Sequence, residues 1–182
     1  MRRLAGGILF LAGGLLAGGF SAYAMIQSVG VKPVEATGPW LDRSAAMTTA
    51  ADYYVRAYYM IEGRLPPAPG QLTEAIAETD SSGSSLSSSC RYTIKSQRAL
   101  PRWWSLAALG GTTESLQGTA DAESVIREPD GSTVISAAPA PQPGNWLKVP
   151  DTSRFALVYT TLSAGAAGKP ALPPFTITRE GC

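Results

Sequence analysis

The sequence predicts a mainly β protein: a jelly-roll-like antiparallel β-sandwich with one N-terminal amphipathic helix, preceded by a single transmembrane helix. Three observations point there. Only 16% of the 182 residues are charged, while 19 Gly and 14 Pro suit short strands and turns better than long helices. Several stretches alternate apolar and polar residues with period two, the signature of half-buried strands. Leu4 to Ile26 is a run of 23 residues without a charge. Disorder throughout is excluded by 45% hydrophobic content and four Trp. The absence of His excludes imidazole acid/base catalysis, Ser-His-Asp or Cys-His nucleophiles and His-ligated metals. No cofactor is implied.

The apolar run follows Arg2 and Arg3, and the next charge is Lys32. At about 1.5 Å per residue it makes roughly 34 Å of helix, enough to cross a hydrocarbon core of about 30 Å. The positive flank should stay in the cytoplasm, which leaves a single-pass protein of the cytoplasmic membrane with its body in the periplasm or outside the membrane. A cleaved signal peptide with Ala22-Tyr23-Ala24 as its processing site is the competing reading, and it sends the body to the same compartment. Gly7, Gly14 and Gly18 form a stripe that would let another helix pack closely, although a Gly-rich apolar stretch without a partner is the plainer interpretation. The expected organisation is residues 1–26 as anchor, 27–41 as a spacer carrying Pro33, Gly38 and Pro39, and 42–182 as the sandwich domain. Trp40 marks where packing begins.

From Ser44 to Glu62, the residues Met47, Ala51, Tyr54, Tyr58 and Ile61 recur at steps of three and four, one face of a helix. Asp42 or Ser44 can cap it, and Gly63 with Pro66 and Pro67 ends it. Leu72 to Glu78 fits a second helix or a strand. Thr79 to Ser89 contains seven Ser and reads as a loop. Cys90, Tyr92 and Ile94 then alternate with Arg91, Thr93 and Lys95 as a strand. Trp103 to Leu109 reads as a strand buried on both faces. Ser124 to Glu128 and Ser132 to Ala137 flank Pro129-Asp130-Gly131, a hairpin signal. Pro139 to Pro143 interrupts the pattern before strands at Phe155 to Thr160 and Phe175 to Arg179. Five or six strands and one helix are buried most simply as two packed antiparallel sheets. Trp104 and Trp146 are expected in the core between them.

Cys90 and Cys182 are the only cysteines, and in an exported body they should pair, closing a loop of about 90 residues. Arg91, Lys95, Arg98 and Arg102 form a basic run without an intervening acid, followed by Trp103, a candidate surface for anionic lipid or glycan. The wet face of a strand is the plainer reading of that run. Without Arg2 and Arg3 the chain carries 13 basic and 14 acidic side chains, so no strong field recommends nucleic acid. No phosphate loop or G-x-S-x-G element is present. Asp121 with Glu123, and Glu128 with Asp130, read as solvated hairpin charges rather than as an acid/base pair.

Cys90-Arg91-Tyr92-Thr93-Ile94, the stretch from Ala99 through Arg102-Trp103-Trp104 to Leu106, and Pro141-Gln142-Pro143-Gly144-Asn145-Trp146-Leu147 resemble the bacterial family named domain of unknown function 1214. Arg154-Phe155-Ala156-Leu157 and Arg179-Glu180-Gly181-Cys182 extend the match. Gly38-Pro39-Trp40 and Asp52 to Ala57 look like the family's short, membrane-anchored members. The resemblance implies a jelly-roll-like sandwich held outside the cytoplasmic membrane by an uncleaved helix, and no established reaction. Longer relatives join this domain to a companion, domain of unknown function 1254, which nominates an envelope protein bearing that companion as a partner. Two departures stand out. Residues 110–122 form a shorter segment without the family's Arg and Tyr, and Thr160 and Leu162 stand where its Phe-x-Leu strand continues with Arg and then Tyr. The leading expectation is therefore a non-enzymatic, membrane-anchored cell-envelope domain that assembles with a partner envelope protein. An exported glycan- or lipid-binding module is second, and an envelope hydrolase third. Intact-mass measurement of the membrane fraction should find the N-terminal segment attached; a species beginning at Met25 would show cleavage after Ala24 instead.

Overall fold

A computed structural model describes residues 2–29, 35–42, 52–61, 72–96, 100–110, 115–162 and 173–182. These fall into two compact units, one holding the helices α1 (Arg2–Val29) and α2 (Tyr53–Ile61), the other holding the strands.

Within α1, the 24 residues Gly6–Val29 are long and apolar enough to cross a membrane. Ile8, Leu9, Phe10, Leu11, Leu15, Leu16 and Phe20 are all exposed. A helix apolar on every side gains by entering lipid or a translocation channel, so an anchor and a signal sequence share this form. In α2 the start differs from the expectation. The Asp52 carboxylate accepts the Tyr54 N–H at 2.8 Å and its carbonyl accepts the Arg56 N–H at 3.1 Å, making Asp52 the N-cap. Asp42 sits instead in a strand, and Ser44 lies outside the described residues. The buried residues of α2 are Tyr58 and Tyr59, edge to face at 6.0 Å, whereas Tyr54 and Ile61 of the expected stripe are exposed.

The second unit is a β-sandwich of β1 (Glu35–Thr37), β2 (Trp40–Asp42), β3 (Leu72–Ala77), β4 (Arg91–Ser96), β5 (Trp104–Gly110), β6 (Ser115–Asp121), β7 (Val134–Ala138), β8 (Trp146–Lys148), β9 (Phe155–Leu162) and β10 (Phe175–Gly181). One antiparallel sheet runs β1-β2-β3-β9-β5-β6, and the other runs β10-β4-β7-β8. The expected spacer is thus partly strand, since Glu35–Asp42 forms a hairpin whose second arm pairs with β3. Gly38, at φ 59°, supplies its turn. Against the all-antiparallel expectation, β7 and β8 are parallel. A parallel return normally needs a long crossover. Here the paired strands are so short that residues 139–145, with three prolines and Gly144 at φ 77°, suffice to carry the chain back.

The core between the sheets contains alternate residues from both. Trp40, Ala75, Trp104, Leu106, Leu157 and Tyr159 come from the larger sheet; Tyr92, Ile94, Ile135, Leu147, Phe175 and Ile177 come from the smaller. At its centre Trp40, Trp104, Tyr159 and Phe175 lie with ring centroids 5.7–6.4 Å apart. Such pairs contribute about 0.5–1.5 kcal/mol each beyond the area they bury. The Trp40 indole N–H also donates to the Phe175 carbonyl at 2.9 Å, linking one sheet to the other.

Other expectations are corrected by packing. Only one face of β5 is deeply buried; on the other, Ser105, Ala107 and Leu109 are half-covered. The Asp-Gly turn forms, with Gly131 at φ 79°, but residues 124–128 are not a strand. The Asn145 side chain takes that backbone instead, accepting the Ile126 N–H and donating to the Ile126 carbonyl, each at 2.7 Å. The strand β6 was hidden because its core-facing positions include Gly118 and Ala120. A Cβ on Gly118 would lie 2.6 Å from the Lys148 carbonyl oxygen, so only glycine lets β6 approach β8. Trp146 is not a core residue: it is half-buried on the outer face of the four-stranded sheet, its N–H donating to the Ala138 carbonyl at 3.0 Å. Trp104→Ala should therefore cost about 3–5 kcal/mol and Trp146→Ala under about 1.5 kcal/mol, measured by chemical denaturation. Equal costs would contradict this placement.

Candidate functional site

The basic run does not form one surface. Arg91 and Lys95 project from the outer face of β4, because Tyr92 and Ile94 occupy the inner face. Arg98 lies outside the described residues. Arg102 and Trp103 are exposed ahead of β5, beside Asp121 and Glu123 at the β6 turn. Lys95 has a neighbour of its own. The Ser132 hydroxyl and N–H, with the nearby Lys95 cation, hold the Asp130 carboxyl below the usual carboxylate range.

On the outer face of the four-stranded sheet, a hollow of about 310 Å³ is lined by Arg91, Thr93, Ser136, Ala138, Gln142 and Glu180, with Tyr92 beneath. Its geometry follows from the strands. Thr93 pairs with Ser136 and Ser136 with Trp146, which puts these three side chains in one row on one face. A register shift between Arg179 and Gly181 sets Glu180 into the same hollow near Arg91. The Gln142 amide nitrogen donates to the Ala140 carbonyl at 3.2 Å, fixing the wall contributed by the Pro-rich return.

The second hollow, lined by Arg102, Trp103, Ser105, Asp121 and Glu123, gathers three charges, yet Asp121 is committed to structure. Its carboxylate accepts the Ser124 and Glu123 N–H groups at 2.8 and 2.9 Å, and those bonds hold it below the usual range. An acid so held is ionised at neutral pH and cannot protonate a leaving group. The solvated-charge reading of Asp121 and Glu123 is therefore refined: one of the two is a turn cap.

The polar group that sequence reasoning missed is Asp80, buried in the Ser-rich loop. Its Oδ1 accepts the Ser82 hydroxyl and the Ser82 and Ser84 N–H groups at 2.5–3.0 Å, and Arg179 Nη2 approaches Oδ2 at 3.3 Å. Arg179 also donates to the Ser85 carbonyl at 2.7 Å and lies over the Tyr92 ring at 5.5 Å. Asp-Ser-Ser-Gly-Ser was the available signal, since an Asp followed by small polar residues folds into an Asx turn. Beside this lock, Cys90 and Cys182 are bonded, with Cα atoms 3.9 Å apart, and join β10 to the start of β4 as expected. In α1, a Cβ added at Gly7, Gly14 or Gly18 would meet no atom within 4 Å beyond its chain neighbours and the adjoining backbone of the helix itself.

Fold and surface define a disulfide-linked β-sandwich behind an N-terminal apolar helix. The chain belongs to the family described as protein of unknown function (DUF1214), whose model matches residues 72–166, just over half of it and the span from β3 through β9. Among solved structures it is similar to the VPA0106 protein from Vibrio parahaemolyticus, at 16% identity and a TM-score of 0.53, covering 69% of this chain and 35% of that one. It also matches an uncharacterized protein from Burkholderia cenocepacia at 18% identity and a TM-score of 0.48, covering 91% of this chain and 42% of that one. The chain spans well under half of either protein, and the Vibrio likeness concerns the fold alone. No curated protein matches the sequence.

The Asp80 lock has a defined acid response. Burial opposes its ionisation, but the Ser82 hydroxyl, the Ser84 and Ser82 N–H groups and Arg179 outweigh burial and lower its pKa below the ordinary 3.8. A lowered folded pKa adds stability that is complete above the unfolded value and is lost as pH falls through the folded one. Asp80→Asn should cost about 1–3 kcal/mol at neutral pH, and the gap to wild type should narrow below about pH 3.8. A pH-independent gap in denaturation midpoints would refute the assignment.

Proposed function

We propose that the protein is a non-enzymatic binding module tethered to the cytoplasmic membrane by α1, with its sandwich in the periplasm or outside the membrane. The positive flank at Arg2 and Arg3 and the Cys90–Cys182 bond support this orientation, because a disulfide persists in an oxidising compartment. The observation that carries the binding reading is the hollow at Arg91. It combines a guanidinium, a carboxylate, an amide and two hydroxyls on a rigid sheet, with Trp146 in the same row. Convergent polar groups of this kind fit a hydroxyl-rich envelope ligand, a glycan before a lipid. The carboxylates with perturbed ionisation, at Asp80, Asp121 and Asp130, all have lowered pKa values and serve turns, which weighs against an envelope hydrolase.

Assembly with a partner envelope protein is the second reading, and the companion domain of longer relatives names the candidate. The open space along Gly7, Gly14 and Gly18 favours it, because a neighbouring helix can approach there closely. Full-length protein in detergent micelles should be retained by immobilised envelope polysaccharide, and Ser136→Arg, which fills the hollow, should abolish retention with an unchanged melting temperature. Gly14→Leu with Gly18→Leu should leave retention intact while removing cross-links to the partner in membranes. Absence of retention on every polysaccharide tried would leave assembly as the surviving function.

A further inference from the structure

We infer that the hollow on the four-stranded sheet takes an acidic sugar, a hydroxyl-bearing ring with one carboxylate. This rests on the binding-module reading and specifies its ligand. Arg91 lines the hollow, and a second cation, Lys148, stands on the same sheet face one strand beyond it. Ala138 pairs in register with Lys148 across one side, and the Tyr92 to Ala137 pair sets Arg91 one step further along β4 on the other. Among the described residues neither Arg91 nor Lys148 makes an ion pair, whereas Lys95, at the far end of β4, already faces Asp130. A guanidinium on a rigid strand offers a planar pair of donors matched to a carboxylate.

The remaining groups suit the rest of such a ring. Thr93 and Ser136 supply hydroxyls that donate or accept, and Gln142, its nitrogen engaged with Ala140, keeps its amide oxygen as an acceptor. Trp146, fixed by its bond to Ala138, stands as an apolar rim beside Ser136. Glu180 decides the charge of the ligand. It accepts from sugar hydroxyls and repels a second negative group, so a single carboxylate placed toward Arg91 and Lys148 is favoured. A bilayer surface fits less well. Its dense anionic headgroups would meet Glu180 directly, and the exposed Trp103 and Leu162 lie with the six-stranded sheet, ahead of β5 and at the end of β9.

The test is calorimetric titration of the full-length protein in detergent micelles with hexagalacturonate, with cellohexaose as the neutral counterpart, and with the soluble lipid dibutanoylphosphatidylglycerol. The acidic hexamer should bind at least about tenfold more tightly than the neutral one, with affinity falling as salt rises. Arg91→Ala and Lys148→Ala should each weaken it about tenfold, the loss of one charge-assisted contact. Glu180→Gln should tighten it, a change that damage to the fold would not produce. Equal affinity for both hexamers, or indifference to Arg91→Ala and Lys148→Ala, would overturn the acidic-sugar inference while leaving a binding module. Tighter binding of the lipid would overturn it in favour of a headgroup. Binding of none of the three would overturn both this inference and the glycan reading beneath it.

Discussion

Everything in the sandwich depends on how its last strand is held. β10 delivers Phe175 to the aromatic centre, and the Phe175 carbonyl receives the Trp40 indole N–H from the opposite sheet. One turn of chain further, Ser81 bonds Ile177 through both its backbone N–H and its hydroxyl, each at 2.9 Å. Arg179 then meets Asp80, and Cys182 closes the strand onto Cys90. These attachments differ in kind. A cross-link closing so long a loop acts largely on the unfolded chain, for which the entropy model gives about 4–5 kcal/mol. The hydrogen bonds and ring contacts act on the folded state and select one register.

That fixed register is what gives the outer surface its chemistry. With Phe175 and Ile177 turned inward, Thr176 and Thr178 face out, and the shift before Gly181 adds Glu180 to the Arg91 hollow. The same alternation on β4 and β8 sends Arg91, Lys95, Trp146 and Lys148 outward while Tyr92, Ile94 and Leu147 fill the core. The polar face and the apolar core are thus two readings of one strand pattern. α1 is long and apolar enough to cross a membrane, and the Cys90–Cys182 bond is of the kind that persists in an oxidising compartment.

The parts of the fold legible in the sequence were those with strong local signals. β4, β9 and β10 alternate cleanly, and a lone pair of cysteines had a single way to bond. β1, β2 and β8 are three residues each, too short for periodicity to register, and the Gly and Ala positions of β6 erase its pattern. Trp146 misled because indole size suggests burial, whereas its place opposite Ser136 is set by the parallel return, a long-range feature without a local signature. The candidate site was half legible. Arg91 was identified, but Ser136, Gln142 and Glu180, which line the hollow with it, come from other segments that only the fold brings together. The run from Arg91 to Arg102 was contiguous in sequence and divided in space, since the chain leaves one sheet at Ser96 and enters the other at Trp104.

The contact between Gly118 and the Lys148 backbone has a consequence for self-association. It brings the rim of one sheet against the rim of the other, so neither β6 nor β8 offers a clear row of amide groups to a passing chain. Ser81 shields part of the outer side of β10 in the same way, leaving the three residues of β1, broken by Gly38 and Pro39, as the remaining sheet margin among the described strands. Strand margins seed fibrous self-association when they are long and bare. A sandwich with almost none is guarded against pairing with its own copies, and at β6 and β8 that protection rests on a single residue without a side chain.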